Sequence, residues 1–136
     1  MEVKNTGIDV IGVERVRKVI EARGERFLRR VLSPRESAEI GVVPGTPLTP
    51  GAVGKAAPRV AARFAAKEAV LKAIGSGLSG LCWRDIEILR RGGEAPRVEL
   101  SGRAAEIARS RGIDRILVSM SHDRDVAVAQ AVAQGE

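Results

Sequence analysis

The sequence predicts an α+β fold in which a small antiparallel sheet packs against one long helix. Strands and helices do not alternate regularly along the chain, which argues against a doubly wound parallel sheet. The segment 59–74 consists mainly of strong helix formers. Short apolar segments bounded by glycine and polar turns indicate strands near both ends of the chain. The predicted order of elements is β-α-α-α-β-β-α-β-β.

The first elements are a strand and an amphipathic helix. The strand is expected over residues 3–11. Val13, Val16 and Ile20 then recur at i, i+3 and i+7, which is the spacing of a helix with one buried face. Gly24 is the expected end of this helix, because glycine readily adopts the conformation that terminates helices.

A second helix start follows at Ser33. The serine is a suitable N-cap, the proline after it suits the first helical position, and Glu36 can reach back to the cap. This helix is expected to run to about Ile40, and the segment 26–32 before it has short helical character. The segment 41–58 contains four prolines and four glycines, so we expect a flexible loop there.

The second half of the chain supplies the remaining elements. We expect in order the long helix at 59–74, strands at 84–89 and 97–100, a helix that Ser101 caps and Gly112 ends, and strands at 116–121 and from Val126 onward. A glycine-containing turn joins the first two of these strands, which predicts a hairpin.

Composition limits the class of protein. The 136 residues indicate a single domain over 1–136. The net charge of +6 favours acidic partners such as nucleic acid, phosphorylated ligands or an acidic protein. Aromatic residues make up only 2% of the chain, so a basic nucleic-acid-binding module, which commonly stacks bases on aromatic rings, is the weaker alternative. A core of small aliphatic side chains buries little area per residue, which favours oligomerisation.

The chain has a single cysteine, Cys82. No disulfide can form within the chain, which fits a reducing compartment. The N-terminus lacks the apolar run of a signal peptide, and no segment approaches the roughly 20 apolar residues of a membrane span. We therefore expect a cytoplasmic protein that binds neither a membrane nor nucleic acid.

Two carboxylates are candidates for metal binding. Glu68 and Lys72 lie four residues apart on one face of the long helix, where they are either a routine ion pair or a metal ligand and a phosphate contact. Asp9 lies between Ile8 and Val10 in the first strand and needs a partner, because burying a lone charge is costly. That partner is either an arginine or a metal. Two such carboxylates together with phosphate oxygens would suit Mg²⁺, which binds few protein ligands.

His122 is the only histidine. It lies at a polar turn after a strand, so it is either a solvated turn residue or a general base or phosphate contact. The tripeptide Gly75-Ser76-Gly77 is typical of a helix C-cap, although its backbone N–H groups would also allow close approach of a phosphate.

Three blocks together resemble the holo-acyl-carrier-protein synthase family, the short single-domain type of 4′-phosphopantetheinyl transferase. They are Gly7-Ile8-Asp9-Val10, the helix Arg63-Phe64-Ala65-Ala66-Lys67-Glu68-Ala69 with Lys72-Ala73, and Ser119-Met120-Ser121-His122-Asp123. Their order and spacing agree with the family over almost the whole chain. The resemblance implies the 4′-phosphopantetheinyl transferase-like fold.

The resemblance also implies a reaction and a set of site residues. The reaction transfers 4′-phosphopantetheine from coenzyme A to a serine of apo acyl carrier protein and releases adenosine 3′,5′-bisphosphate. By the match, Asp9 and Glu68 hold Mg²⁺. The implied catalytic residues are Glu68, Lys72 and His122, and the implied coenzyme A contacts are Arg63, Lys67, Lys72, Gly75, Ser76, Gly77 and His122.

The family further implies two kinds of protein contact. An acidic apo acyl carrier protein is expected to dock on basic residues at Arg15, Arg23 and Arg26, with electrostatic steering as the main gain. The protein is expected to be a homotrimer with active sites at subunit interfaces. By the habit of the family the carrier serves fatty acid biosynthesis, and a polyketide carrier modified by the same chemistry is the alternative.

Overall fold

The computed structural model describes residues 1–43, 45–75 and 81–136. Its helices are α1 (Val13–Arg23), α2 (Glu25–Val31), α3 (Pro34–Ile40), α4 (Pro50–Ile74) and α5 (Gly102–Ser110), and its strands are β1 (Glu2–Gly12), β2 (Ile86–Leu89), β3 (Arg97–Leu100), β4 (Arg115–His122) and β5 (Val126–Gly135). An antiparallel three-stranded sheet has the order β1-β5-β4, and β2 pairs with β3 as the predicted hairpin. The predicted α+β fold is confirmed.

In the part of the chain that the structure describes, four helices rather than three precede β2. The segment with short helical character is a separate helix, α2, because Gly24 breaks the chain direction after α1. Gly24 has a φ of 53° and donates its N–H to the Ile20 carbonyl oxygen at 2.7 Å. A positive φ of this kind favours glycine. The predicted order of elements therefore lacks one helix.

The loop expected over 41–58 is wrong for residues 50–58, because α4 begins at Pro50 and not at residue 59. Thr49 is the N-cap, and its hydroxyl accepts the Ala52 N–H at 3.2 Å. Proline at the first helical position starts a helix, since its missing N–H would have no partner there. Pro58 lies inside the helix, which continues past it despite the lost backbone hydrogen bond.

Small side chains bring α4 close to the sheet. The second half of α4 and the inner face of β5 share one core cluster, in which both surfaces present alanine: Ala65, Ala66, Ala69 and Ala73 from the helix and Ala129, Ala131 and Ala133 from the strand. The first half of α4 packs in another cluster with α1, α2 and α3, and this cluster contains the predicted buried residues Val13, Val16 and Ile20. Helix α4 therefore contributes to both core clusters, and the other elements pack around it.

Gly7 marks the closest approach of β1 to α4. A Cβ at this position would overlap the Ala69 carbonyl oxygen and lie 2.9 Å from the Ala73 backbone nitrogen. Only a hydrogen fits there, so glycine is required for contact and not for its dihedral angles. Asp9 follows two residues later on the same face of the strand, and is thereby directed towards α4.

The opposite face of the three-stranded sheet carries apolar side chains that remain exposed. Ile8 and Val10 of β1 are 59% and 61% exposed, and Leu117 of β4 and Val126 of β5 are also exposed. We call these four residues the outer sheet face. An apolar surface that extends over three strands commonly marks an interaction site.

Candidate active site

Asp9 and Glu68 line one cavity of about 410 Å³ between β1, α1, α2 and α4. Strand alternation turns Asp9 inward, while its neighbours Ile8 and Val10 face out. Glu68 enters from α4, one turn after Phe64, which forms part of the apolar wall. We call this space the carboxylate cavity. The sequence left open whether Asp9 pairs with an arginine, and its ion pair in the described residues is with Lys72.

Lys72 lies at the edge of this arrangement. Its Nζ donates to the Ile8 carbonyl oxygen at 2.8 Å and to Asp9 Oδ1 at 3.1 Å. The lysine side chain is 53% exposed. The ammonium group is therefore fixed beside the carboxylates while remaining accessible to an anionic ligand.

The environment of Glu68 disfavours its charge. Burial raises the pKa of Glu68 above its ordinary value, the negative charge of Asp9 raises the pKa further, and Lys72 opposes both. Two carboxylates held close together at a half-buried site repel one another. A bound cation would stabilise this arrangement. No cluster of three or more His, Cys, Asp or Glu occurs in residues 1–43, 45–75 and 81–136. Two carboxylates fit Mg²⁺, which takes few protein ligands and completes its shell with water and phosphate oxygens.

A second cavity, of about 640 Å³, lies on the other side of α4. Its lining includes three arginines and the histidine, Arg59, Arg63, Arg90 and His122, together with Glu39. We call it the arginine cavity. Guanidinium groups with several donors in a fixed geometry are well suited to bind phosphate.

Arg63 is the most buried of these arginines, with 8% of its surface exposed. Its Nη2 donates to Glu39 Oε1 at 3.1 Å. Its Nε is buried and has no hydrogen-bond partner in the described part of the chain. A buried donor without a partner is costly, and a phosphate oxygen in the cavity would supply the missing acceptor.

The two cavities separate five of the predicted site residues into two groups. Asp9, Glu68 and Lys72 lie together at the carboxylate cavity, whereas Arg63 and His122 lie at the arginine cavity. No described residue lines both. Helix α4 stands between them, so one chain does not bring all of the expected catalytic residues together.

Lys67 lies in neither cavity. It is fully buried, and its Nζ donates to Glu36 Oε1 at 2.6 Å and to the Trp83 carbonyl oxygen at 3.0 Å. Burial lowers its pKa, and the neighbouring Glu36 carboxylate opposes that effect. The expectation that Lys67 contacts coenzyme A is therefore at odds with this geometry, because its ammonium group is enclosed by the protein.

The glycine-rich segment after α4 is described only in part. Gly75 has a φ of 117°, and its N–H donates to the Leu71 carbonyl oxygen at 3.0 Å. This N–H already completes the helix, so it is not free to bind the expected phosphate. Ser76 and Gly77, the other expected contacts in this segment, lie outside the described residues.

The three arginines expected at the carrier surface, Arg15, Arg23 and Arg26, are all exposed. None of them forms an ion pair with a described carboxylate, whereas Arg17 pairs with Glu14 and Glu21 on the same helix. The charge of the first three is therefore not neutralised locally. Arg15 also lines the carboxylate cavity.

Sequence reasoning missed Glu39, Arg59 and Arg90 at the arginine cavity. Arg59 lies four residues before Arg63 on the same helix, and this spacing was a usable signal. Arg90 directly follows β2, and no sequence pattern connects it with α4.

The chain matches the family described as the 4′-phosphopantetheinyl transferase superfamily over residues 5–131. It is 44% identical over 129 residues to a holo-[acyl-carrier-protein] synthase of Desulforudis audaxviator, with 95% of this chain and 91% of that protein covered. A protein of the same name from Alkaliphilus metalliredigens is 38% identical over 131 residues, with 96% and 98% covered.

Solved structures agree with the sequence comparison. The acyl carrier protein synthase of Plasmodium yoelii with ADP bound has a TM-score of 0.86 and 36% identity, covering 99% of this chain and 97% of that one. The holo-[acyl-carrier-protein] synthase of Helicobacter pylori in complex with coenzyme A has a TM-score of 0.74 and 30% identity, covering 95% and 99%.

The chain belongs to the 4′-phosphopantetheinyl transferase superfamily. Its similarity to holo-[acyl-carrier-protein] synthases extends over nearly the full length of both proteins, so it is a transferase of that type. The family and enzyme class expected from the three sequence blocks are confirmed. In the described residues no helix is both long and apolar enough to span a membrane.

Proposed function

We propose that the protein transfers 4′-phosphopantetheine from coenzyme A to a serine of apo acyl carrier protein in a reaction that requires Mg²⁺. The observation that carries this proposal is the pairing of Asp9 and Glu68 in one cavity with Lys72 beside them. The two carboxylates would hold the metal, and the ammonium group beside them would bind a phosphate of the substrate.

Each group has a separate role in this proposal. When bound, Mg²⁺ would supply positive charge that stabilises the diphosphate during the transfer. Asp9 and Glu68 hold the metal from two different elements, β1 and α4. Lys72 adds a positive charge on the solvent side. Because its side chain is exposed, the ammonium group can leave Asp9 and contact the phosphate of the substrate. Phe64 and the other apolar lining of the carboxylate cavity exclude water around the reacting group.

We assign the nucleotide end of coenzyme A to the arginine cavity of a neighbouring subunit. The unpartnered Nε of Arg63 supports this assignment, as does the cluster of positive charge with His122. Because α4 separates this cavity from the carboxylate cavity, a complete site needs two subunits. The exposed apolar residues of the outer sheet face support self-association, and we propose the homotrimer that the sequence blocks imply.

The acidic carrier protein docks on Arg15, Arg23 and Arg26 in this proposal. Their free positive charges would raise the rate of encounter with an acidic helix. Since Arg15 also lines the carboxylate cavity, a carrier held by this arginine delivers its serine next to the proposed metal. We propose that the carrier serves fatty acid biosynthesis in the cytoplasm, and the same geometry would act on a polyketide carrier.

Intact mass spectrometry of the carrier tests the proposed reaction. The protein is incubated with coenzyme A, Mg²⁺ and apo acyl carrier protein, and the carrier should gain the mass of one phosphopantetheine. The gain should disappear with EDTA and with the Glu68→Gln variant. Glu106→Gln, an equal change of charge on the exposed face of α5, serves as the matched control and should retain the gain. A carrier of unchanged mass with folded wild-type protein would refute the proposal.

A further inference from the structure

We infer that Glu39 sets the affinity of the arginine cavity for the phosphates of its nucleotide ligand, by orienting Arg63 and by offsetting part of the cavity's positive charge. The inference rests on the proposed function, because it takes adenosine 3′,5′-bisphosphate, the nucleotide end of coenzyme A, as that ligand. It assigns a role to a carboxylate that neither the sequence blocks nor the proposed chemistry uses.

The hydrogen bonds of Glu39 fix the orientation of Arg63. Glu39 Oε1 accepts the Arg63 Nη2 donor at 3.1 Å and the Arg90 backbone N–H at 2.8 Å. The backbone contact fixes the carboxylate to the end of β2, and the carboxylate in turn fixes the guanidinium group. Arg63 is thereby held from one side, and its buried Nε remains without a partner in the described residues. A donor that is already oriented binds a phosphate without a further loss of side-chain freedom.

Glu39 also offsets part of the positive charge that lines the cavity. Arg59, Arg63 and Arg90 carry positive charge, and Glu39 is the single carboxylate in the described lining. The other contacts of the two outer arginines are to carbonyl oxygens: Arg59 donates to Ile40 and Arg90 donates to Glu94. These bonds orient the arginines without neutralising them. Glu39 is thus the group that repels a phosphate bound beside it.

Glu39 therefore has two opposing effects on binding: orienting Arg63 strengthens it, and the negative charge of Glu39 weakens it. Together the two effects limit how tightly the cavity holds the nucleotide. Binding that is equally strong for substrate, transition state and product does not speed the chemical step. A cavity with three arginines and no carboxylate would hold the nucleotide product tightly. Glu39 keeps Arg63 in position while making the product easier to release.

Two substitutions at Glu39 separate orientation from charge. Glu39→Gln keeps an amide oxygen that can accept from Arg63 and from the Arg90 N–H, and removes the negative charge. Glu39→Ala removes both. Glu39 is only partly buried, so both variants are expected to fold, which circular dichroism checks. Glu106→Gln on the exposed face of α5 controls for the change in net charge.

The measurement is the dissociation constant of adenosine 3′,5′-bisphosphate by isothermal titration calorimetry, with KM for coenzyme A and kcat measured alongside. We expect Glu39→Gln to bind about threefold to tenfold more tightly than wild type at low salt. This gain should shrink as salt is added. The variant should show a lower KM with no increase in kcat. We expect Glu39→Ala to bind more weakly than Glu39→Gln, because Arg63 is no longer oriented.

The outcomes distinguish the inference from the function on which it rests. If wild type binds the nucleotide but Glu39→Gln binds no more tightly, or Glu106→Gln gains as much, the role of Glu39 is refuted and the proposed function stands. If wild type does not bind the nucleotide at all, the assignment of coenzyme A to this protein fails first.

Discussion

Glu36 and Lys67 form an ion pair in which both side chains are fully buried, with 2.6 Å between Oε1 and Nζ. Glu36 also accepts the Ser33 N–H through Oε1 and the Ile88 N–H through Oε2, each at 3.0 Å. One carboxylate therefore joins the start of α3, the middle of α4 and strand β2. Much of the packing of α4 is through small apolar side chains, so this buried network is a directional contact that helps to fix the rotation of the helix.

Removing Lys67 alone should be strongly destabilising. In Lys67→Met the Glu36 carboxylate stays buried without its cation, which we expect to cost about 3–5 kcal/mol of unfolding free energy. In the double variant Glu36→Gln/Lys67→Met no charge is buried, but the amide oxygen can accept only one of the two backbone N–H groups, so part of the loss should be recovered. Urea unfolding measures both. If the double variant were as unstable as the single one, the ion pair would not be the cause.

Glu68→Gln should be more stable than wild type when no metal is bound. Because the folded-state pKa of Glu68 is raised above its ordinary value of 4.5, the folded protein holds this proton more tightly than the unfolded chain does. Its ionisation therefore weakens the fold as pH rises through the window between 4.5 and the raised pKa. The Tm of Glu68→Gln in EDTA should exceed that of wild type at pH 7.

The difference in Tm between Glu68→Gln and wild type should vanish below pH 4.5, where the carboxyl is protonated in both folded and unfolded chains. Thermal unfolding at pH 4 and pH 7 provides the comparison. Equal Tm values at pH 7 would contradict the assigned environment of Glu68. Mg²⁺ should raise the Tm of wild type and not that of the variant.

Gly7→Ala should weaken the fold and the active site together. The added methyl group would overlap the Ala69 carbonyl oxygen, so α4 must move away from β1, at a cost of about 1–3 kcal/mol or more. Asp9 and Glu68 lie on these two elements, so transfer activity should fall even where the protein is folded.

Gly54→Ala is the matched control for this substitution. Gly54 lies inside α4, and a Cβ there meets nothing within 4 Å. Alanine should therefore stabilise the protein by about 0.4–1 kcal/mol. Denaturant unfolding decides the matter, and a Gly7→Ala protein as stable as wild type would show that α4 and β1 are less tightly fitted than described.

Val10→Lys should prevent self-association. Val10 lies on the outer sheet face, in the edge strand β1, and is 61% exposed, so lysine costs the isolated chain little but would bury a charge in an interface. Light scattering after size exclusion should give a smaller molar mass than for wild type. Val43→Lys changes an equally exposed valine that is not on the sheet and should leave the mass unchanged.

Two inactive variants should restore activity to one another if active sites form between subunits. Glu68→Gln alters the carboxylate cavity and His122→Ala alters the arginine cavity, and each alone should be nearly inactive. When the two chains are coexpressed, some interfaces combine an intact carboxylate cavity with an intact arginine cavity. Activity of the purified mixed oligomer well above either parent is expected, and its absence would contradict a shared site.

The parts of the fold that depend on neighbouring residues could be predicted from the sequence. The buried face of α1 followed from its helical spacing, and the capping box of Ser33 and Glu36 is present as expected. The start of α4 could not be predicted as easily. Proline and glycine between residues 50 and 58 indicate a loop when taken alone, and packing against α1 and α3 overrides that preference.

The site was predictable as a set of residues and not as an arrangement. The spacing of Glu68 and Lys72 identified their common face, because four residues make about one helical turn. The partner of Lys67 lies 31 positions away, and no local pattern connects the two. Lys67 directly precedes the partly exposed Glu68, so its burial could not be inferred from the pattern of neighbouring residues.

Glu36 and Glu39 of α3 also cover an edge of the β2–β3 hairpin that could otherwise aggregate. The N–H groups of Ile88 and Arg90 point away from β3 and donate to Glu36 and Glu39. The free edge of an apolar strand would otherwise be able to pair with a strand of another molecule. Until α3 docks, this edge is open, so variants that delay or loosen α3 should precipitate during refolding before they lose measurable stability at equilibrium.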